Sequence, residues 1–206
     1  MENLFYELGA KYDFGWHENH SRQVIKLCQQ FYKEIVAHGL LPRSSDRNMQ
    51  VIEDAGFVHD IGRSSRAIGK GKHPERSVAT LKEELGPTAC AEEHSQLVLY
   101  CVHHHTGNFW KEASADKEVS PDLIEHAKKL CAIFRIADAL DHGLQNRVDR
   151  VSLTLDGLKI TCKIFPASSG ASRGIDSDEK IKAEEKADLM KEAYGLTEVS
   201  FELAER

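Results

Sequence analysis

At 206 residues, 41% hydrophobic and 29% charged, the chain is long enough for one substantial core and ordinary in composition for a globular protein. Its formal charge of −6 excludes a broad basic field of the kind that gives general nucleic-acid binding. No stretch reaches the roughly 18 apolar residues of a spanning helix, and "MENLFYELGAKYDFGWHENH" lacks a basic start followed by an apolar signal core, so a cytoplasmic protein without membrane contact is expected.

Helical periodicity holds to about residue 145. Val24, Leu27, Cys28, Phe31 and Ile35 recur at helical spacing, as do Val51, Ile52, Ala55 and Val58, then Leu97, Val98 and Cys101, then Ala127, Leu130, Cys131 and Phe134. Four or five mutually packed helices are predicted. Gly39 and Pro42, the glycine-rich "GRSSRAIGKGKHP", Gly86-Pro87 and "TGNFWKEASADKEVSP" mark the breaks, and Ser120-Pro121 reads as a helix start.

Beyond Asn146 the period changes to two. "RVDRVSLTL" and "LKITCKIF" read as a hairpin turning at Asp156-Gly157 and "PASSGASRGIDSD" as a flexible polar loop. Glu179 to Tyr194 reads as a charged helix stopping at Gly195, and "TEVSFEL" as a last strand. The predicted fold is mainly α: a helical domain over residues 1–146 with a small C-terminal β-β-α-β subdomain, residues 147–206, packed on it. The strand edge of that subdomain is a candidate for packing or for a homodimer contact.

The five cysteines, Cys28, Cys90, Cys101, Cys131 and Cys162, form no C-x-x-C pair, which fits reduced thiols. Cys28, Cys101 and Cys131 fall on apolar helix faces, where core packing is expected.

Several helices aim ionisable groups at their apolar stripes. His20 lies four residues before Val24, His59 four after Ala55, His104 three after Cys101 and Asp138 four after Phe134. Burying such groups is costly unless they are paired, protonated or bound to an ion. One divalent metal would satisfy His20, His59, Asp60 and Asp138 together, and this mixed nitrogen and oxygen set suits Mn, Fe, Co, Ni or Zn better than Mg. A metal-free hydrogen-bonded core is the alternative. His59 and Asp60 would diverge by about 100° on a helix, so both reach one ion only at a helix end, near Gly62.

"HENHSRQVIKL", "HDIG", "KHPERS", "VHHHTG", "FRIADALDHGLQNRVDRVSLTLDG" and "EEKADLMKEAYG" carry a resemblance. In that order they are similar to the HD-domain metal-dependent phosphohydrolase superfamily. They resemble most the C-terminal region of the exopolyphosphatase/guanosine pentaphosphatase family, from about Leu4 to Leu203. The resemblance implies an HD-type helical bundle, a divalent metal and hydrolysis of a phosphate ester or anhydride of a nucleotide or related phosphorylated small molecule. The resembled enzymes carry their phosphatase chemistry in an actin-like domain missing here, so any catalysis is expected from the HD site. A non-catalytic nucleotide- or alarmone-binding regulatory module is the alternative. "KHPERS" and "HHH" also resemble the extra histidines of two-metal subfamilies, which would make His73, His104 and His105 ligands of a second ion. The glycine-tyrosine-proline signature of cyclic-dinucleotide phosphodiesterases is absent after His105.

Asp60, His73 and His104 are the candidate catalytic residues; with one ion, the two histidines serve as general acid/base or phosphate contacts. His104 is the better inward candidate, His103 is expected to face solvent, and helical projection leaves His105 open. Arg63, Arg66, Lys70 and Lys72 form a basic cluster, either a solvated mobile loop or, with His105, a clamp for substrate phosphates. Asp141 either holds a ligand histidine in one tautomer or pairs with Arg135 or Arg147. Trp16, Phe109 and Trp110 either stack on a base or pack in the core, and His17, His38, His94, His126 and His142 are assigned to surface or packing.

Overall fold

A computed structural model describes residues 4–13, 15, 17–41, 46–107, 109–111, 119–167 and 178–204, with the side chains of residues 17 and 109 excepted. Pro42, residues 112–118, the polar loop over 168–177, Trp16 and the side chains of His17 and Phe109 lie outside the described residues.

The chain is mainly α. The predicted apolar stripes form α2 (His17–Ala37), α3 (Asp46–Val58), α5 (Glu93–His104) and α6 (Ile124–Ala139), preceded by α1 (Leu4–Lys11) and with α4 (His73–Cys90) between α3 and α5. Every stripe residue named above is buried. Helix α6 is buried on nearly all sides from Leu130 to Ala137 because α2 and α5 pack against it, as do two later helices of the chain. Helix α1 carries no long period; it docks where Gly9 lies so close to the Phe57 carbonyl that a Cβ there would meet the oxygen at 2.5 Å. Gly86 breaks α4 internally, with φ 72° and ψ 168°.

The C-terminal part is a three-stranded sheet with two helices. Strands β1 (Val148–Asp156) and β2 (Lys159–Pro166) are antiparallel and turn at Gly157, whose φ is 57°. The expected single helix is instead α7 (Glu179–Lys186) and α8 (Asp188–Tyr194), ended by left-handed Gly195. They lead into β3 (Glu198–Leu203), which pairs parallel with β2, so the strand order is β1-β2-β3.

The division at 146/147 falls just before β1, and one hydrophobic core runs across it from Phe5 to Phe201. The outer edge of β1 is closed by α2. Val151 and Leu153 donate their N–H groups to Gln30 and Glu34, while Gln23 and His38 donate to the carbonyls of Val148 and Leu153. An edge-to-edge dimer would therefore have to use β3 rather than β1. All five cysteines are free thiols, and Cys28, Cys101 and Cys131 pack in the core. Among the described residues no helix is long and apolar enough to cross a membrane.

Candidate metal centre

The His59-Asp60 pair does not lie on a helix. Helix α3 ends at Val58, and the pair occupies the turn between it and a 3-10 turn at Ile61–Arg63, with Asp60 at φ −105° and ψ 6°. The His59 N–H still bonds the Ala55 carbonyl, so the pair closes the helix rather than continuing it. Ser77 of α4 holds the turn in place: its hydroxyl donates to the His59 carbonyl at 2.8 Å and accepts from the Gly62 N–H at 2.8 Å. Gly62 is required because a Cβ would collide with the His73 carbonyl and meet the Ser77 nitrogen at 2.5 Å. Its smallness admits the start of α4, not a ligand as such.

Two groups of side chains converge. In the first, His20 Nε2 lies 3.2 Å from Asp138 Oδ1 and 3.2 Å from His59 Nε2, and His59 Nε2 lies 3.7 Å from the same Asp138 oxygen. In the second, Asp60 Oδ1 lies 3.1 Å from His73 Nε2 and 3.6 Å from His105 Nε2, and the two imidazole nitrogens are 3.0 Å apart. Either group could hold a metal ion. Asp60 stands between them, since its Oδ2 is 3.9 Å from His59 Nε2 and accepts from Arg63 Nε at 2.8 Å.

The ring orientations explain why an ion fits. His59 Nδ1 donates to the Gly56 carbonyl at 2.9 Å, and His105 Nδ1 to the Val102 carbonyl at 2.7 Å. His20 Nδ1 faces Asp141 Oδ2 at 2.8 Å. With the Nδ1 positions serving as donors, neutral rings present Nε2 lone pairs to one another and to carboxylate oxygens. Acceptors packed at such distances need a proton or a cation among them. Asp60 Oδ1, buried with the His73 and His105 Nε2 atoms at 3.1 and 3.6 Å, poses the same demand in the second group.

The titration behaviour follows. Burial acts to lower His20, but Asp138 and Asp141 on its two nitrogens outweigh it and raise its pKa to about 9. Burial lowers His59 to about 3, reinforced by His20 and His105 and opposed by Asp60. Burial also acts to raise Asp138 and Asp60, yet Lys186 and His20 hold the first well below the usual carboxylate range, and the surrounding imidazoles, led by His59, do so for the second. Burial lowers His73.

The two groups open into one cleft of about 700 Å³. His20, Asp60, His73, His105 and Asp138 line it, together with Arg63. The structure groups the candidate ligands differently from the sequence reading in two respects: Asp60 groups with His73 and His105 while His20, His59 and Asp138 form the other triad, and His104 belongs to neither.

His104 is not brought to either group. It is buried, but its ring sits against Tyr100 and His103, with centroids 4.4 and 4.5 Å away, and its carbonyl accepts from Arg135. His105, one residue further round the helix end, takes the site position. His103 is half-buried on the His104 ring and not simply solvent-facing.

Of the basic cluster, Arg63 lines the cleft and Lys72 a contiguous groove with Arg76 and Gly107. Arg66 turns the other way to donate to the Lys11 carbonyl, and exposed Lys70 lines neither space. The intervening loop is fastened to α4, because Arg76 donates to the carbonyls of Ser64 and Ala67 and Thr80 accepts from the Ile68 N–H. Asp141 bonds His20 and the Asn146 N–H, not the two arginines considered. Trp110 is buried. His38, His94 and His126 bond Leu153, Asp54 and Asn48 away from the cleft.

Sequence reasoning missed part of the wall. His142, assigned to surface or packing, is exposed and also lines the cleft, as does exposed Leu144 in a left-handed conformation at φ 55°. Helix α7 contributes Lys182, Glu185 and Lys186, and Lys186 Nζ donates to Asp138 Oδ2 at 2.5 Å. The four-residue spacing of the two lysines was visible, but on a charged helix it reads as a solvated face. Comparison with protein-family models gives no match, and comparison with curated proteins gives none at a significant level.

Proposed function

We propose that the chain is a cytoplasmic, HD-type metal-dependent phosphohydrolase, related to the C-terminal region of the exopolyphosphatase/guanosine pentaphosphatase family. It would act on a phosphate ester or anhydride of a nucleotide or related phosphorylated small molecule. The observation that supports this reading best is the pair of converging acceptor groups joined by Asp60 in one cation-bordered cleft. The free state of every cysteine fits a reducing compartment.

Divalent ions held by the two groups would lower the pKa of water toward neutrality and withdraw charge from phosphorus. The protein's own residues fix the geometry. Asp141, Gly56 and Val102 orient His20, His59 and His105, Arg63 orients Asp60, and Ser77 holds the turn that carries the His-Asp pair. In the hydrolysis, the oxygen of water bonds phosphorus, the bond from phosphorus to the leaving oxygen breaks, and a proton passes to that oxygen. With His73 and His105 occupied as ligands, His142 is the cleft imidazole left for proton transfer.

The test is elemental analysis of the purified protein together with phosphate release from nucleotides, guanosine tetraphosphate and an aryl phosphate, for wild type and Asp60→Ala. Bound transition metal with turnover lost in the variant is the expected result. Metal without turnover on any substrate would favour the nucleotide-binding module, and no metal would overturn the reading.

A further inference from the structure

Among the described residues, helix α7 is the one element of the C-terminal subdomain that reaches the cleft, and it is held at both ends. At its start, buried Glu179 pairs with Arg147 at 3.3 Å, and Asp178 takes the same guanidinium at 3.1 Å. Just past its end, Asp188 receives buried Arg135 at 3.4 Å and Lys111 at 3.0 Å. Lys182 and Lys186, one turn apart, line the cleft from this support, with Lys182 Nζ donating to Glu185 Oε2 at 2.7 Å.

Lys186 is nearly buried and directed by Asp138. The carboxylate divides its oxygens: Oδ1 faces His20 and His59, and Oδ2 accepts from Lys186. An ammonium has three N–H donors, and the Asp138 bond uses one. The remaining two are left for a ligand in the cleft that Lys186 shares with the candidate ion-binding side chains, where a phosphoryl group would bring negative charge. Arg63 stands among the cleft residues as a further cation.

We propose that Lys186, with Lys182 one turn before it on α7, binds the phosphoryl oxygens of the substrate, so that the C-terminal subdomain supplies the phosphate-recognition wall of a metal centre built by the helical part. The inference rests on the phosphohydrolase reading and adds the residues that receive the reacting phosphate. A purely structural lysine would instead serve only to hold Asp138.

The test titrates inorganic phosphate calorimetrically into the full chain, loaded with metal and treated with chelator, for wild type, Lys186→Met, Lys186→Arg and Lys182→Met. In the loaded protein Lys186→Met is expected to weaken phosphate binding about tenfold or more with metal content unchanged. Lys186→Arg should restore most of the loss, and Lys182→Met, at a more exposed position, should weaken binding by a smaller factor while leaving the fold intact. Unchanged phosphate affinity in the methionine variants would overturn the proposal. So would metal content falling in step with phosphate affinity, or a metal-loaded wild type that binds no phosphate. Turnover is not needed for any of these readings. Failure to hydrolyse any substrate would count against the phosphohydrolase reading while the titration still decides the role of the lysines.

Discussion

His20 and His59 face each other through their Nε2 atoms at 3.2 Å, while their Nδ1 atoms are tied to Asp141 and to the Gly56 carbonyl. Two ring nitrogens in that position are compatible only with something positive between them. Adding divalent metal to chelator-treated protein should therefore raise its melting temperature. At a hundredfold excess over Kd the gain is about 2.7 kcal/mol, or roughly 5–10 °C for a chain of this length. Scanning fluorimetry across Mn, Fe, Co, Ni, Zn and Mg measures it, and no shift with any ion would show that the cluster is held by protons alone.

Asp141→Asn should weaken metal binding about 10- to 100-fold with little change in fold. The amide oxygen can still accept from the Asn146 N–H, so the turn is kept and only the charged partner of His20 is lost. Competition with a chromogenic chelator reads the affinity. An unchanged value would mean that packing alone orients His20.

The neighbouring histidines at the end of α5 should behave oppositely. His105→Ala removes a candidate ligand of the Asp60 group and should lower metal stoichiometry. His104→Phe, in a pocket formed with Tyr100 and His103, should leave it unchanged. Equal loss in both variants, measured by elemental analysis, would contradict the assignment of His105.

In metal-free protein two shifted histidines oppose each other with pH. His20, raised to about 9, contributes stability that is complete below pH 6.5 and lost as pH rises through 9. His59, lowered to about 3, stays neutral while the unfolded chain takes up its proton, so stability falls as pH drops from 6.5 toward 3. The melting temperature should peak near pH 6.5 in chelator. With metal the alkaline decline should vanish, because deprotonated His20 is the ligating form. A flat alkaline limb in chelator would refute the role given to His20.

Gly62→Ala should destabilise by about 1–3 kcal/mol, because the added methyl group meets backbone atoms of α4 that cannot move without shifting the His-Asp turn. Urea unfolding measures the loss. Ser77→Ala offers a comparison that removes the hydroxyl tether of the turn without steric conflict.

The helices with continuous apolar stripes, α2, α3, α5 and α6, could be read from periodicity because burial on one face leaves a repeating pattern. Helix α1 could not: it is short, and its docking depends on a close approach between Gly9 and Phe57 that no local pattern encodes. His20, His59 and Asp138 were legible as ionisable groups on apolar faces. The choice between His104 and His105 was not, because α5 ends there and a projection based on a continuing helix loses its meaning. Arg66 and Lys70 looked equivalent to Arg63, yet a loop fastened along α4 turns them elsewhere. Lys186 was hidden for another reason: its partner, Asp138, is 48 residues away.

The parallel pairing of β3 with β2 fixes where the cleft wall comes from. Every side chain of the two candidate ion-binding groups lies within residues 20–138, whereas α7 lies in the crossover between β2 and β3. Whatever loosens β3 from the sheet therefore loosens the wall that faces the two groups while leaving their own side chains on the helical part.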